Sequence, residues 1–263
     1  MSTSNKRQRE LARQKFERQQ QRRVEREAAR RRSTRITGGL IGLAIVAVAI
    51  GLFWYSQRDS GSSSASPSPS PSPTPVVAGC TTAPTPTEKT QTWASVPAGT
   101  KPAAQITLAT NCGNVVIKTL PAKAPKTVQA MTFLTQQNYF TDSDCFRLTT
   151  EGIFVFQCGS SSNDASGSGP GFTVPDENLP TSKGQDGYPA GTVAMANSGA
   201  NTNSSQFFLV YKDGSKLGPN YTIWGTVVSG LDVLQKVAAA GVQGGQADGA
   251  PVQPLVITKA TTG

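Results

Sequence analysis

The sequence predicts a mainly β domain, a closed antiparallel barrel capped by two helices, carried behind a single transmembrane helix and a disordered linker. Three observations lead there. Eight short β-rich runs between Gln105 and Thr258 are divided by Gly, Pro and Asn turns. Two stretches in the same region carry apolar residues at helical spacing, and they stand far apart in the chain. Ahead of them lie twenty uncharged residues, Ile36 to Tyr55, followed by a Ser/Pro tract. Many short strands with two separated helices fit a sheet closed on itself, with the helices over its ends.

Residues 1–35 read as a basic cytoplasmic tail. They hold 13 of the 25 Lys and Arg and 4 of the 16 Asp and Glu, so the chain's net charge of +9 resides there and the remainder is neutral. A neutral domain has no electrostatic footprint for a phosphate backbone, and no nucleic-acid partner is expected. Residues 36–55, ITGGLIGLAIVAVAIGLFWY, are long enough to cross the roughly 30 Å hydrocarbon core of a lipid bilayer as a helix. Arg30, Arg31, Arg32 and Arg35 crowd one flank while Arg58 stands nearly alone on the other, which predicts a cytoplasmic N terminus and an extracytoplasmic C-terminal domain at the cell membrane. The charged stretch and the apolar run both exceed those of a cleaved signal peptide, so an uncleaved single-pass anchor is expected. Gly38 and Gly42 form a GxxxG along which two such helices could approach.

Residues 56–100 form a Ser/Pro/Thr-rich linker, whose Ser-Pro alternation favours an extended, semi-rigid spacer. Val77-Ala78-Gly79-Cys80 has the form of a lipoprotein cleavage box, but the spacer separates it from the apolar run and no lipidation is expected. The folded domain, expected to be monomeric, is assigned to residues 101–263. Gln105 to Leu108 and Asn114 to Leu120 read as a hairpin around Thr110-Asn111-Cys112-Gly113. Pro125 opens a helix in which Val128, Met131, Phe133 and Leu134 recur at helical spacing, to about Gln137. Strands follow at Cys145–Leu148, Phe154–Gln157, Gly191–Ala196, Gln206–Tyr211 and Ile223–Val228, then a helix over Leu231–Ala239 and a last strand near Val252–Thr258.

Cys80, Cys112, Cys145 and Cys158 are an even set in a segment placed outside the cytoplasm, where disulfides persist. Three pairings are open. If residues 145–148 and 154–158 are adjacent antiparallel strands, Cys145 and Cys158 could face each other, leaving Cys80 to tie the linker to Cys112; free buried thiols are the alternative. No CxxC spacing favours a metal. The chain has no histidine, which removes Ser-His-Asp and Cys-His nucleophiles and any imidazole base.

The run from Met195 to Leu209, MANSGANTNSSQFFL, is similar across fifteen positions to the MANxGxNTNGSQFFI signature of the cyclophilin family of peptidyl-prolyl isomerases. Ala124-Pro-Lys-Thr-Val128, Phe146-Arg147-Leu148, Phe154 to Gly159 and Trp224-Gly225-Thr-Val227 extend the resemblance, in family order, over Gln105 to Lys259. It implies a cyclophilin-like eight-stranded barrel with two helices and a groove for X-Pro segments of unfolded or secreted proteins. Arg147 stands at the family's catalytic arginine. Phe154, Val155, Phe208 and Leu217 match the pocket for the proline ring, Gln157 and Gln206 the glutamines that hold the arginine and the peptide, and Ala196 and Asn197 the segment gripping the residue before proline. The implied reaction needs no cofactor and no metal.

Phe146 stands where the family often has His, and Tyr221 keeps an aromatic wall at another such position; Ser204 replaces a usual Gly, and the 149–153 loop is two residues longer. Lys216 falls where some members carry the Trp that favours cyclosporin, so weak drug binding is expected. The Arg-rich tail and Ser-Pro spacer resemble those of actinobacterial envelope proteins. The resemblance implies an isomerase and the expected anchor places it outside the cytoplasm, as a folding helper for secreted proteins, with a non-catalytic Pro-peptide clamp or envelope scaffold as the alternative.

Overall fold

The computed structural model describes residues 77–181 and 187–263; the basic tail, the expected anchor and the Ser-Pro tract lie outside them. Among the described residues no helix is long and apolar enough to cross a membrane. Ten strands and two α-helices follow in the order β1 (Gln105–Thr110), β2 (Gly113–Thr119), α1 (Pro125–Gln136), β3 (Ser143–Asp144), β4 (Arg147–Thr149), β5 (Val155–Cys158), β6 (Thr192–Met195), β7 (Phe207–Val210), β8 (Ile223–Ser229), α2 (Leu231–Ala239), β9 (Asp248–Gly249) and β10 (Val256–Thr262).

All ten strands join one antiparallel sheet in the order β3-β10-β1-β2-β8-β6-β7-β5-β4-β9. Register shifts in the β1–β10, β2–β8 and β6–β8 pairs mark bulges, which add twist and curl the sheet. The expectation of a closed eight-stranded barrel is corrected here. The curled sheet is open among the described residues, because its end strands β3 and β9 are not paired with each other and their two residues each offer few ladder bonds. The last strand begins at Val256 rather than near Val252, since Pro251 and Pro254 cannot donate to a ladder.

The β1–β2 hairpin turns through Asn111 and Cys112, with Thr110 opposite Gly113. Ile106 and Leu108 point inward with Val115 and Ile117 across from them, the alternation that a half-buried sheet requires. Helix α1 starts on Pro125, whose missing N–H costs nothing in a first turn. Ala124 supplies no side-chain cap. Glu177, from a distant loop, takes that place: Oε1 accepts from the Lys126 N–H at 3.1 Å, and Oε2 from the Thr127 N–H and hydroxyl, both at 2.9 Å. Gly230 enters α2 at φ 86°, and a Cβ there would strike the Asn114 carbonyl, so the turn from β8 requires glycine.

Apolar side chains form two clusters on opposite sides of the sheet's functional half. The larger holds Leu148, Phe156, Leu209, Val193, Trp224 and both helices' inner faces; the smaller holds Val155, Tyr188, Ala194, Phe208, Val210 and Leu217. Strand alternation produces the split: Leu148, Phe156, Leu209 and Val193 are cross-strand partners facing one side, and their neighbours Arg147, Gln157, Phe208 and Ala194 are partners facing the other.

The segment from 77 to 100, assigned above to the linker, lies along the domain. Backbone hydrogen bonds run from Thr81 to Asn111, Thr87 to Asp142, Lys89 to Ser161 and Trp93 to Pro170. Trp93 packs edge-on against Phe133, with ring centroids 5.2 Å apart. Disulfides join Cys80 to Cys112 and Cys145 to Cys158. The first ties this segment to the β1–β2 turn; the second links the chain just before β4 to the end of β5.

Candidate functional site

Arg147 opens β4 directly opposite Gln157 on β5, and Gln157 is opposite Phe208 on β7. Side chains in such a row share a face. The Arg147 guanidinium donates from Nη1 to Gln157 Oε1 at 3.0 Å, and Gln157 Nε2 donates to Gln206 Oε1 at 2.8 Å. Three predicted polar residues are therefore wired in series. The guanidinium also donates from Nε and Nη2 to the two carboxylate oxygens of Asp248, at 2.7 and 2.6 Å. That pairing raises the affinity of Arg147 for its proton, with a smaller contribution from nearby Tyr221, and holds the Asp248 carboxyl below the usual carboxylate range.

Beside this polar row lies the smaller apolar cluster. Val155, Phe208 and Leu217 are buried in it, and Ile153, Ala196, Tyr221 and Ile223 pack against it half-buried. The Phe208 ring meets Tyr221 edge-on at 5.3 Å and Tyr188 at 6.2 Å. Tyr188 fixes the Tyr221 backbone by accepting from its N–H at 3.0 Å and donating to its carbonyl at 3.1 Å. Burial pushes the Tyr188 phenol up to about 12, so it stays a neutral donor.

Phe154 is not brought to this cluster. Its ring packs edge-on against Tyr211 at 6.1 Å on the large-core side, with the Lys212 ammonium 4.6 Å from its centroid. Ile153 occupies the site side instead, two residues before Val155 and four before Gln157. Counting back by twos from Gln157 would have found it. Tyr188 and Asp248 carry no such signal, because each reaches the site from a separate loop or edge strand.

Gln157, Ala196, Asn197 and Gln206 also line a cavity of about 530 Å³, completed by Phe172, Ser204 and other small residues; no charged side chain lines it among the described residues. Asn197 donates to the Asn220 carbonyl at 2.9 Å, which ties its loop to the segment before Tyr221. Polar cavity and apolar patch thus meet along the Arg147–Gln157–Gln206 row. An extended peptide laid across that row would meet an apolar seat on one side, a roomy polar hollow on the other, and a fixed positive charge between.

The family model described as "Cyclophilin type peptidyl-prolyl cis-trans isomerase/CLD" matches residues 105–262. The chain is 44% identical over 163 residues to a probable peptidyl-prolyl cis-trans isomerase B of Mycobacterium tuberculosis, covering 58% of this chain and 52% of the relative. The Mycobacterium leprae counterpart is 44% identical over 160 residues, with 57% and 54% covered. The chain therefore spans about half the length of these relatives. A Schizosaccharomyces pombe peptidyl-prolyl cis-trans isomerase is 34% identical over 162 residues and is covered to 97%. A crystal structure of a cyclophilin-type isomerase from Cryptosporidium parvum superposes with a TM-score of 0.52 at 23% identity, over 61% of this chain and 98% of that one. A second structure of that protein, in the presence of the dipeptide Ala-Pro, gives 0.52 at 22%. At that identity both speak for the fold alone.

Proposed function

Because the chain belongs to the cyclophilin-type peptidyl-prolyl cis-trans isomerase family, we propose that its domain accelerates X-Pro isomerisation in proline-containing segments, with Arg147 as the catalytic group. The carrying observation is the row of Arg147, Gln157 and Gln206 set against the Val155–Phe208–Leu217 patch. Rotation about X-Pro breaks no bond; its barrier of about 18–20 kcal/mol is amide resonance. Stabilising the twisted amide over both planar forms is enough. As resonance is lost, the prolyl nitrogen regains a lone pair, to which a permanently charged guanidinium can donate. Gln157 holds that guanidinium from one side. The apolar patch seats the ring while the preceding carbonyl turns, and Ala196 and Asn197 border the path of the residue before proline.

The proposal extends to place: an extracytoplasmic domain held by residues 36–55 and acting on secreted or envelope proteins. The uncharged run with its arginine flank supports this, as do the two disulfides, which persist in oxidising compartments. Membrane-impermeant protease added to intact cells should remove the domain and spare the tail; protection of the domain would overturn the location.

A protease-coupled assay on Ala-X-Pro-Phe peptides tests the reaction. Arg147→Ala should lower kcat/KM by about 10²- to 10³-fold, the usual cost of one electrostatic donor. Equal rates for the two proteins would leave the groove a non-catalytic clamp.

A further inference from the structure

Asp248 is absent from every sequence signal considered above, yet it takes two of the five donors on Arg147. Its delivery is built. Strand β9 pairs with β4 at Thr149–Asp248 and Leu148–Gly249, and Thr150 donates its N–H to the Ala247 carbonyl at 2.8 Å, so the backbone is pinned on both sides of the carboxylate. The side chains of Arg147 and Asp248 are 35% and 53% exposed, and exposed pairs contribute little to stability. Their geometry has a clearer consequence. Nε and Nη2 are held by a fork on one edge and Nη1 by Gln157 on another. Contacts on two edges fix the guanidinium plane and leave one N–H on each Nη for a ligand.

Resting on the reading of Arg147 as the catalytic group, we propose that Asp248 is a positioning residue for the isomerisation, holding the guanidinium plane so that these two N–H groups meet the prolyl nitrogen as it pyramidalises. The carboxylate also neutralises part of the charge that stabilises the twisted amide. The two effects oppose each other in rate, so the sign of the change decides between them. Orientation is expected to win, because misplacement of a reacting group by about 1 Å costs up to about 10²-fold.

The test compares full-length wild type with Asp248→Ala, Asp248→Asn, Asp248→Glu and Arg147→Ala in the same peptide assay. Asp248→Ala should lower kcat about tenfold with KM within about threefold, since the apolar seat is intact. Asp248→Asn retains one acceptor oxygen and should fall between, and Asp248→Glu should recover part of the loss. The Arg147 Nε–H resonance should shift in Asp248→Ala, and adding Asp248→Ala to Arg147→Ala should cost nothing further. Should Asp248→Ala unfold, the near-isosteric Asp248→Asn decides. If Arg147→Ala is slow while Asp248→Asn and Asp248→Ala match or exceed wild type, the positioning role is overturned and Arg147 stands. If Arg147→Ala matches wild type, both readings fall.

Discussion

Asp144 is a half-buried carboxylate whose charge the fold does little to offset, and replacing it with Asn should stabilise the protein. It sits on β3 opposite Val256, with its own N–H donated to Asn163 Oδ1 at 3.0 Å. Its Oδ1 is shut from solvent without a hydrogen bond. Burial pushes its pKa from 3.8 up to about 6, against a smaller lowering by the Cys145 N–H. The folded state therefore binds this proton more tightly than the unfolded one. Above about pH 6 both states are ionised and the folded state carries the full penalty; as pH falls from about 6 to 4 the folded state protonates first and stability rises; below 4 the gain is complete. A difference of two pKa units corresponds to about 3 kcal/mol at most, which residual solvent access reduces to about 2. Asp144→Asn should thus gain about 2 kcal/mol at pH 7.5, or about 4–8 °C in Tm for a domain this size. Urea denaturation of both proteins across pH 4–8 checks it. The variant's advantage should shrink to nothing near pH 4. An unchanged midpoint at pH 7.5, or an advantage that persists at pH 4, would refute the reasoning.

Three further outcomes follow from the packing. Ile153→Ala should raise KM for prolyl peptides several-fold with little change in Tm, because it trims the site patch, whereas Phe154→Ala should cost about 2–4 kcal/mol of stability through its contacts on the core side; the reverse pattern would return Phe154 to the proline seat. Glu177→Ala leaves two N–H groups at the start of α1 without their acceptor and should cost about 1–2 kcal/mol in chemical denaturation, with Glu177→Gln losing less. Opening the disulfides by paired Cys→Ser substitution should cost about 3 kcal/mol for Cys145–Cys158, whose separation is 13, and somewhat more for Cys80–Cys112, whose separation is 32.

Much of this architecture was legible in advance because it is local. The hairpin at Asn111-Cys112, the helix opened by Pro125 and the run of β-rich segments each follow from turn residues and periodicity within a dozen positions. Family membership was legible because fifteen consecutive residues carry it. Other features were mislaid for identifiable reasons. Sheet closure depends on whether the two end strands pair, which no single segment encodes. The last strand started late because proline removes donors. Residues 77–100 pack along the domain because Trp93 meets Phe133, a contact between segments that each read as unremarkable alone.

The same division runs through the site. Arg147, Gln157, Gln206 and Phe208 were named from the resemblance to the cyclophilin family, since they stand within motifs that match it in type and order. Which side of the strand Phe154 and Ile153 face was left to the tertiary structure, because strand phase depends on where the longer 149–153 loop takes up its extra residues. Asp248 and Tyr188 entered only with the fold. Asp248 stands 101 residues from the arginine it grips, and only the pairing of β9 with β4 brings the two charges together.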